Sequence, residues 1–324
     1  MAEMRPAPAG IEIIRRPEGR RFRFVLFDFD GTLSLLREGW QGVMIPMMVD
    51  VLEPIATRLD RDALMRLMTE DVEETTGLAT IHQMMHLAKH VSEFGGTPRH
   101  PKAYKAEYLR RLLAHIKGRR EAVASGQVDP DAMLLAGARA FLEALARRDL
   151  VLCLASGTDE PYVLEEARLL KIDRYFGPHV YGARDDCEAS IKSAVIGRML
   201  AENRIPGDEL LVLGDGFVEI TDCKEAGGYA VAVASDEVAG GGCINEWKRD
   251  RLLRAGADMV IADFMCRDEL VRLLFGSRGG PAPPPPPGAP SSPPRRAAAT
   301  APGATPATDR RRAPLPLEKP PAPP

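Results

Sequence analysis

The chain has 324 residues, 45% of them hydrophobic, so it is long enough to bury a sizeable core in more than one domain. Its formal net charge of −3 argues against nucleic acid or an anionic membrane as the main partner. No apolar run approaches the roughly 20 residues that span a bilayer, and the first residues carry no apolar segment typical of a secretory signal. The five cysteines are scattered and never spaced as CxxC, which predicts reduced thiols in a cytoplasmic protein.

Near the N-terminus, two β-prone runs lie on either side of Pro17-Glu18-Gly19, a favourable turn sequence. We therefore predict a β-hairpin and assign residues 1–21 to an N-terminal extension that contains its first strand. The second strand, residues 22–27, begins the core and ends abruptly in a cluster of acidic residues.

Residues 37–129 are helix-like throughout and contain no convincing strand. An all-helical insertion directly after the first core strand indicates a cap domain over the end of that strand. The insertion is rich in methionine, which we interpret as flexible filling of a helical core. These methionines are Met44, Met47, Met48, Met65, Met68, Met84 and Met85.

Three histidines in the insertion, His82, His86 and His90, are spaced along one helical face. Pairs at this spacing can ligate a metal, but no acidic or cysteine partner shares the pattern. We favour a solvated or interface stripe. Contact of one histidine with the functional site and a pH-sensitive role are the alternatives.

Beyond the insertion, continuous apolar runs alternate with helical segments. The apolar runs are Val151–Ala155, Leu210–Leu213, Tyr229–Ala234 and Met259–Ile261. The predicted helices are Pro130–Arg148, Glu160–Leu170, Ser190–Glu202 and Asp268–Phe275. Continuous apolar strands are typical of a parallel sheet that is covered on both faces. The alternation therefore predicts a doubly wound, Rossmann-like α/β core made of residues 22–36 and 130–275.

The C-terminal segment, residues 276–324, is dominated by proline, alanine and arginine and contains almost no large apolar residues. Such a segment buries too little surface to offset its chain entropy, so we predict a disordered tail. An inert extension is favoured. Because proline runs adopt polyproline II, a docking segment for an SH3-like partner is the alternative, with weak anion contacts from Arg310, Arg311 and Arg312.

Polar residues follow three predicted strands at the points where the strands end. They are Asp28, Asp30, Gly31 and Thr32; then Ser156, Gly157 and Thr158; and then Gly214, Asp215, Gly216 and Glu219. In an α/β sheet, ligands bind outside the carboxyl ends of the strands. Four acidic groups at one edge repel one another unless a cation lies among them. Oxygen-only ligands favour a hard ion, magnesium before calcium.

The same edge carries groups that suit a phosphate. Ser156 offers a hydroxyl, and Gly157 offers an unhindered N–H group. A phosphate needs a further cation, and Lys192 lies near the start of a predicted helix where it is well placed. Lys171 is the alternative, although it lies at a helix end, where it can serve that terminus.

Taken together, these motifs resemble the haloacid dehalogenase superfamily, in its phosphatase branch. The segment FDFDGTL, residues 27–33, is similar to the first motif; Leu154-Ala155-Ser156-Gly157 resembles the second, Lys192 the third, and Gly214-Asp215-Gly216 with Glu219 the fourth. The resemblance covers about residues 22–275. The position of the insertion resembles the helical cap of phosphoglycolate phosphatase-like and β-phosphoglucomutase-like members.

The resemblance implies a phosphatase that works through an aspartyl-phosphate. Asp28 would be the nucleophile and Asp30 the general acid and base. Magnesium would be bound by the carboxylates of Asp28 and Asp215 and by the backbone carbonyl of Asp30. Glu219 stands where aspartate is more usual, which implies a contact with the metal through water. Ser156, Gly157 and Lys192 would bind the phosphate.

The cap would close over the substrate and select the leaving group. Arg37, Trp40 and Gln41 follow the first motif closely and are the candidates for contact with the leaving group. Trp40 is equally expected to pack between cap and core, because tryptophan is usually largely buried.

The expected function is magnesium-dependent hydrolysis of a small phosphorylated metabolite. A phosphotransferase or sugar-phosphate mutase of the same fold is the first alternative. A regulatory or scaffold protein that uses the proline-rich tail is the second, although the retained motif carboxylates favour an enzyme. A dehalogenase is disfavoured, because Asp30 supplies an acid that carbon–halogen displacement does not need.

Overall fold

The computed structural model describes residues 10–184, 193–197, 201, 207–236 and 242–276. The strands are β1 (Ile11–Ile13), β2 (Phe24–Phe27), β3 (Val151–Asp159), β4 (Val180–Ala183), β5 (Leu210–Gly214), β6 (Tyr229–Val233) and β7 (Met259–Ile261). The helices are α1 (Gln41–Leu52), α2 (Arg61–Thr75), α3 (Thr80–Glu93), α4 (Pro101–Ala124), α5 (Ala138–Ala146), α6 (Glu160–Leu169), α7 (Asp173–Phe176), α8 (Phe217–Glu225), α9 (Glu246–Arg254) and α10 (Arg267–Phe275). Residues 193–197 are also helical, and short 3₁₀ turns cover Pro130–Met133 and Gly207–Glu209.

The strands form one sheet in the order β1-β7-β6-β5-β2-β3-β4, in which all pairs except β1–β7 are parallel. Strand β2 lies near the middle and is buried along its whole length. Its side chains alternate between the two faces, so Val25 and Phe27 join one apolar cluster, whereas Phe24 and Leu26 join the other. Helices α5, α6, α7 and α10 cover the first face, and α8, α9 and residues 193–197 cover the second. The predicted doubly wound α/β fold is confirmed.

The predicted N-terminal hairpin is wrong. Strand β1 pairs antiparallel with β7, with Ile11 opposite Ile261, and it does not pair with β2. Strand β2 has no edge available, because Phe24 is paired in register with residues of both β3 and β5. The turn itself forms, since the Arg20 N–H donates to the Pro17 carbonyl over 3.2 Å, but it redirects the chain from the sheet edge to its centre.

The segment predicted as one helix from Pro130 to Arg148 is interrupted. Its first part is a 3₁₀ turn, and α5 begins only after Gly137, whose φ is +76°. A side chain on Gly137 would collide with the backbone of Phe264. This close approach and the positive φ both require glycine, and they separate the 3₁₀ turn from α5. The sequence-based prediction also omitted β4, α7, α8 and α9, which are all short.

Helices α1–α4 carry their own hydrophobic cluster, separate from the two clusters that flank the sheet. Five methionines are fully buried in it: Met44, Met47, Met48, Met68 and Met84. Met65 packs at its margin, whereas Met85 is exposed. Most of these methionines therefore fill the helical core, as expected.

Several sequence predictions fall on residues outside the described part of the chain. Lys192 and the tail lie there, as does most of the predicted helix Ser190–Glu202. None of the four cysteines that the structure describes forms a disulfide: Cys153, Cys223, Cys243 and Cys266. Among the described helices, none has the length and apolar character needed to cross a membrane.

Candidate active site

The polar residues predicted to converge do so because β5, β2 and β3 are parallel neighbours. Phe27, the last residue of β2, is in register with Leu154 of β3 and Leu213 of β5. The next residue, Asp28, donates its backbone N–H to the Leu213 carbonyl over 2.9 Å. The loops that follow all three strands therefore lie at one edge of the sheet. Asp28, which follows the middle strand β2, lies between the loop after β5 and the loop after β3.

Three carboxylates lie together at this edge. Oxygen atoms of Asp28, Asp215 and Glu219 are within 4.8 Å of one another, and Asp28 and Glu219 are buried. The Thr32 hydroxyl donates to Asp215 Oδ1 over 3.1 Å, and Lys248 Nζ lies 3.3 Å from Asp215 Oδ2. Such a group of like charges is stable only beside a cation, and its all-oxygen donor set fits a hard divalent ion.

Local backbone geometry brings these carboxylates close. Gly31 has a φ of +78°, and a side chain there would overlap the Asp215 carboxylate. Glu219 lies in the first turn of α8, where its Oε1 accepts the Gly216 N–H over 2.6 Å. Glu219 is thus held within the acidic group by the start of its own helix. Whether it would contact a metal directly or through water stays a prediction.

Asp30 faces a different set of partners. Its Oδ2 accepts the hydroxyls of Ser156 and Thr158 over 3.1 and 2.9 Å, and the Thr158 N–H donates to Ser156 Oγ over 3.0 Å. Its Oδ1 is buried and has no hydrogen-bond partner among the described residues. One oxygen is therefore fixed by two hydroxyls, and the other is left without a hydrogen bond from the described residues. Gly157 lies between these two hydroxyl residues.

A buried ion pair stands next to Asp30. Arg37 donates through Nε and one terminal nitrogen to the two carboxylate oxygens of Glu166, each over 2.9 Å, and its Nε lies 3.8 Å from Asp30 Oδ1. Burial raises the pKa of Glu166. Burial lowers the pKa of Arg37, but the charge of Asp30 and the bonds to Glu166 outweigh this, so its pKa is raised overall. Glu166 was not predicted, because it lies in the ordinary amphipathic helix α6.

The cap forms the roof of a cleft of about 660 Å³ above the strand ends. The loop between α2 and α3 lies against both glycine-containing core loops. A side chain on Gly157 would meet the Leu78 carbonyl oxygen at 3.2 Å, and one on Gly77 would meet Gly216 Cα at 3.4 Å. The predicted candidates Arg37 and Trp40 line this cleft, and Gln41 lines its continuation. Gln83 and Tyr108 also line the cleft, and the sequence reading did not select them.

A core arginine holds the cap loop in place. The Arg251 guanidinium donates to the backbone carbonyls of Glu73, Glu74 and Thr76, where helix α2 ends. These are carbonyls that a helix end leaves without partners. The guanidinium also stacks over the rings of Phe217, at 4.8 Å, and Trp247, at 5.3 Å. Burial lowers the pKa of Arg251. The core thereby fixes the loop that roofs the cleft.

Arg251→Ala is expected to destabilise the fold by about 2 kcal/mol, because it removes a charged donor from three carbonyls at the end of α2. We also expect faster amide exchange in residues 73–80, measured by hydrogen exchange with mass spectrometry. Arg254→Ala is the matched control, since Arg254 is exposed and one turn further along α9. Equal exchange in the two variants would contradict the role assigned to Arg251.

The histidine stripe is an interhelical contact. His86 Nδ1 and His90 Nε2 each lie 3.1 Å from Asp71 Oδ1 on helix α2, so they join α3 to α2. The stripe was predicted to be solvated or an interface, and the acidic partner comes from a neighbouring helix that periodicity does not reveal. His82 Nδ1 is buried without a partner among the described residues. Within the described part of the chain, only the group around Asp28 has three metal-type side chains close together.

Comparison with known proteins identifies the family. The sequence model of haloacid dehalogenase-like hydrolases matches residues 22–227, which is more than half of the chain. The chain belongs to the haloacid dehalogenase-like hydrolase family. The predicted superfamily and hydrolase class are confirmed. A search of curated protein sequences finds no match.

Solved structures of this family share the fold. A predicted phosphatase from Clostridium acetobutylicum has a TM-score of 0.52 at 16% identity, and the match covers 78% of this chain and 100% of the phosphatase. A hydrolase from Pseudomonas syringae has a TM-score of 0.51 at 19% identity, covering 78% and 99%. A predicted phosphoglycolate phosphatase from Haemophilus somnus has a TM-score of 0.50 at 16% identity, covering 77% and 98%. At these identities the likeness concerns the fold alone.

Proposed function

We propose that this hydrolase is a magnesium-dependent phosphatase that releases phosphate from a small phosphorylated metabolite through an aspartyl-phosphate. The observation that carries the proposal is that two carboxylates, two residues apart in the sequence, have different surroundings. Asp28 lies within the acidic group of Asp215 and Glu219, whereas Asp30 is held by the hydroxyls of Ser156 and Thr158. One carboxylate is therefore beside the cation site, and the other is beside the cap, where a leaving group would lie.

In the first step, an oxygen of Asp28 attacks phosphorus, and the bond from phosphorus to the ester oxygen breaks. Asp30, which lines the cleft, gives its proton to the departing oxygen. In the second step, Asp30 takes a proton from water, which attacks phosphorus and releases phosphate and Asp28. The hydroxyls of Ser156 and Thr158 keep the Asp30 carboxylate in one orientation through both steps.

Magnesium would be held by the carboxylates of Asp28 and Asp215, with Glu219 nearby. When bound, it supplies positive charge that lets the anionic nucleophile approach an anionic phosphate. Lys248 already supplies a cation beside Asp215, and Thr32 orients the same carboxylate. Lys192 stays a predicted phosphate ligand, with Ser156 and Gly157.

The proposal is tested by a screen for phosphate release over a panel of phosphorylated metabolites with magnesium. Release that continues until one substrate is consumed supports a hydrolase. Transfer of the phosphoryl group to a second hydroxyl, with little free phosphate, would indicate the phosphotransferase alternative. No release from any ester, including aryl phosphates, would overturn the proposal.

Asp215→Ala is expected to weaken magnesium binding by about 10- to 100-fold, because it removes one carboxylate from a three-carboxylate group. Isothermal titration calorimetry on the substrate-free protein measures the affinity directly. Glu225→Gln is the matched control, since it neutralises an exposed carboxylate on the same helix as Glu219. Unchanged affinity in Asp215→Ala, or full activity in excess chelator, would rule out the proposed site.

A further inference from the structure

Two largely buried polar side chains line the cleft and form no hydrogen bond to another described residue. Gln83 of α3 is 3% exposed, and Tyr108 of α4 is 4% exposed. Both line the cleft above Asp30, and neither side chain forms a hydrogen bond to another residue in the described part of the chain. Buried polar groups in folded proteins are nearly always paired. These two side chains line the cleft, so their polar groups are placed to hydrogen-bond a ligand bound there.

The charges around the cleft limit what that ligand can be. Arg37 is the one cationic residue among the described residues that line the cleft beside Gln83 and Tyr108, and both oxygens of Glu166 already neutralise Arg37. In the continuation of the cleft, Lys248 lies beside Asp215, and Arg251 donates to the carbonyls of the cap loop. An additional anionic group on the leaving group would stand beside Asp30 and Glu166 without an uncommitted cation. Repulsion between like charges in a partly buried site disfavours such a ligand.

The uncharged groups suit hydroxyls. A glutamine amide and a phenol each donate and accept hydrogen bonds, which matches a hydroxyl group. Burial raises the pKa of Tyr108, so its phenol stays protonated and able to donate.

Building on the proposed phosphatase activity, we infer that the leaving group is a small, uncharged, hydroxyl-bearing moiety of the polyol or monosaccharide class, bound by Gln83 and Tyr108. Leaving groups that carry a carboxylate or a second phosphate are disfavoured, because Arg37 is already paired with Glu166 and no other cation among the described residues lines this part of the cleft. Gln83 and Tyr108 set specificity, and the chemical steps belong to Asp28 and Asp30.

Two substrates of matched skeleton test the charge requirement in the unmodified, full-length protein. Glycerol 3-phosphate and 3-phosphoglycerate differ in one end group, which is a hydroxymethyl in the first and a carboxylate in the second. We expect kcat/KM to be at least about 30-fold higher for glycerol 3-phosphate, a ratio typical of one mismatched polar group. Equal or better turnover of 3-phosphoglycerate would overturn the inference.

Two near-isosteric variants test hydroxyl recognition. Tyr108→Phe and Gln83→Leu are each expected to lower kcat/KM for glycerol 3-phosphate by at least about 10-fold, as for loss of a hydrogen bond in a buried site. Their turnover of propyl phosphate and 4-nitrophenyl phosphate should change less than about threefold. Tyr104→Phe is the matched control, because the Tyr104 hydroxyl already accepts the Arg99 backbone N–H over 3.0 Å.

The outcomes separate the inference from the function on which it rests. Hydrolysis of 4-nitrophenyl phosphate without any preference between the matched substrates would overturn the inference and leave the phosphatase activity standing. Equal losses for all three esters in the variants would also overturn it, because a structural role explains such losses. Absence of phosphate release from every ester would overturn both proposals.

Discussion

Replacing Asp28 with asparagine is expected to lower phosphate release by at least about 10³-fold while leaving the fold intact, because a carboxamide cannot serve as the nucleophile. Asp28 is 7% exposed, and its backbone N–H is bonded to Leu213. Asparagine has nearly the same shape, so this packing and this bond are retained. Phosphate release with an aryl ester measures the loss, and a thermal melt checks the fold.

The same substitution tests the covalent step. Acid-quenched wild-type protein should carry a phosphoryl group on the peptide that contains Asp28, and Asp28→Asn should not. Asp268→Asn is the control, because that carboxylate is 86% exposed on α10, outside the site. Activity of Asp28→Asn within about tenfold of wild type, equal to roughly 1.4 kcal/mol in the barrier, would place the nucleophile elsewhere.

Asp30→Asn is expected to slow hydrolysis of an alkyl phosphate by about 10²–10⁴-fold and that of an aryl phosphate much less in the first step. An alkoxide is strongly basic and needs a proton as its bond to phosphorus breaks, whereas a nitrophenolate departs unaided. The structure supports this expectation, because Asp30 lines the cleft and two hydroxyls fix the orientation of its carboxylate. Stopped-flow and steady-state kinetics with both esters measure the contrast.

The second step requires Asp30 as a base, so the phosphorylated protein should accumulate when the aryl ester is used. A burst of nitrophenol followed by slow turnover is the expected trace. Asp215→Ala provides the comparison, since its loss of activity should be partly restored by excess magnesium and that of Asp30→Asn should not. If Asp30→Asn slowed hydrolysis of both esters equally, without a burst and with rescue by magnesium, Asp30 would act as a metal ligand and not as an acid and base.

Asp28 and Asp30 have different neighbours because these neighbours come from different strands. Asp28 faces the loop after β5, which supplies Asp215, whereas Asp30 faces the end of β3, which supplies Ser156 and Thr158. A single residue between two carboxylates is enough to direct them toward different partners. In the proposed mechanism, this spacing places the nucleophile beside the cation site and the acid beside the cap.

The sequence alone determined the fold class, the helical insertion and the convergence of the main site residues. Continuous apolar runs, helical periodicity and turn residues are local properties of the chain, so they are readable without a structure. Convergence followed from one rule, because parallel strands deliver the residues after their ends to a single edge. Asp28, Asp30, Ser156 and Asp215 were found in this way.

Only the tertiary structure decided the pairing of β1 with β7, the Arg37–Glu166 pair and the roof formed by Gln83 and Tyr108. The partner of a short strand such as β1 depends on which strand of the sheet is left unpaired on one side, and local sequence does not reveal this. Arg37 and Glu166 are 129 residues apart, and a glutamate in an amphipathic helix has the pattern of a surface residue. Glu166, Gln83 and Tyr108 become buried only when the cap and the core pack together. Burial is a property of the folded chain and cannot be read from local sequence.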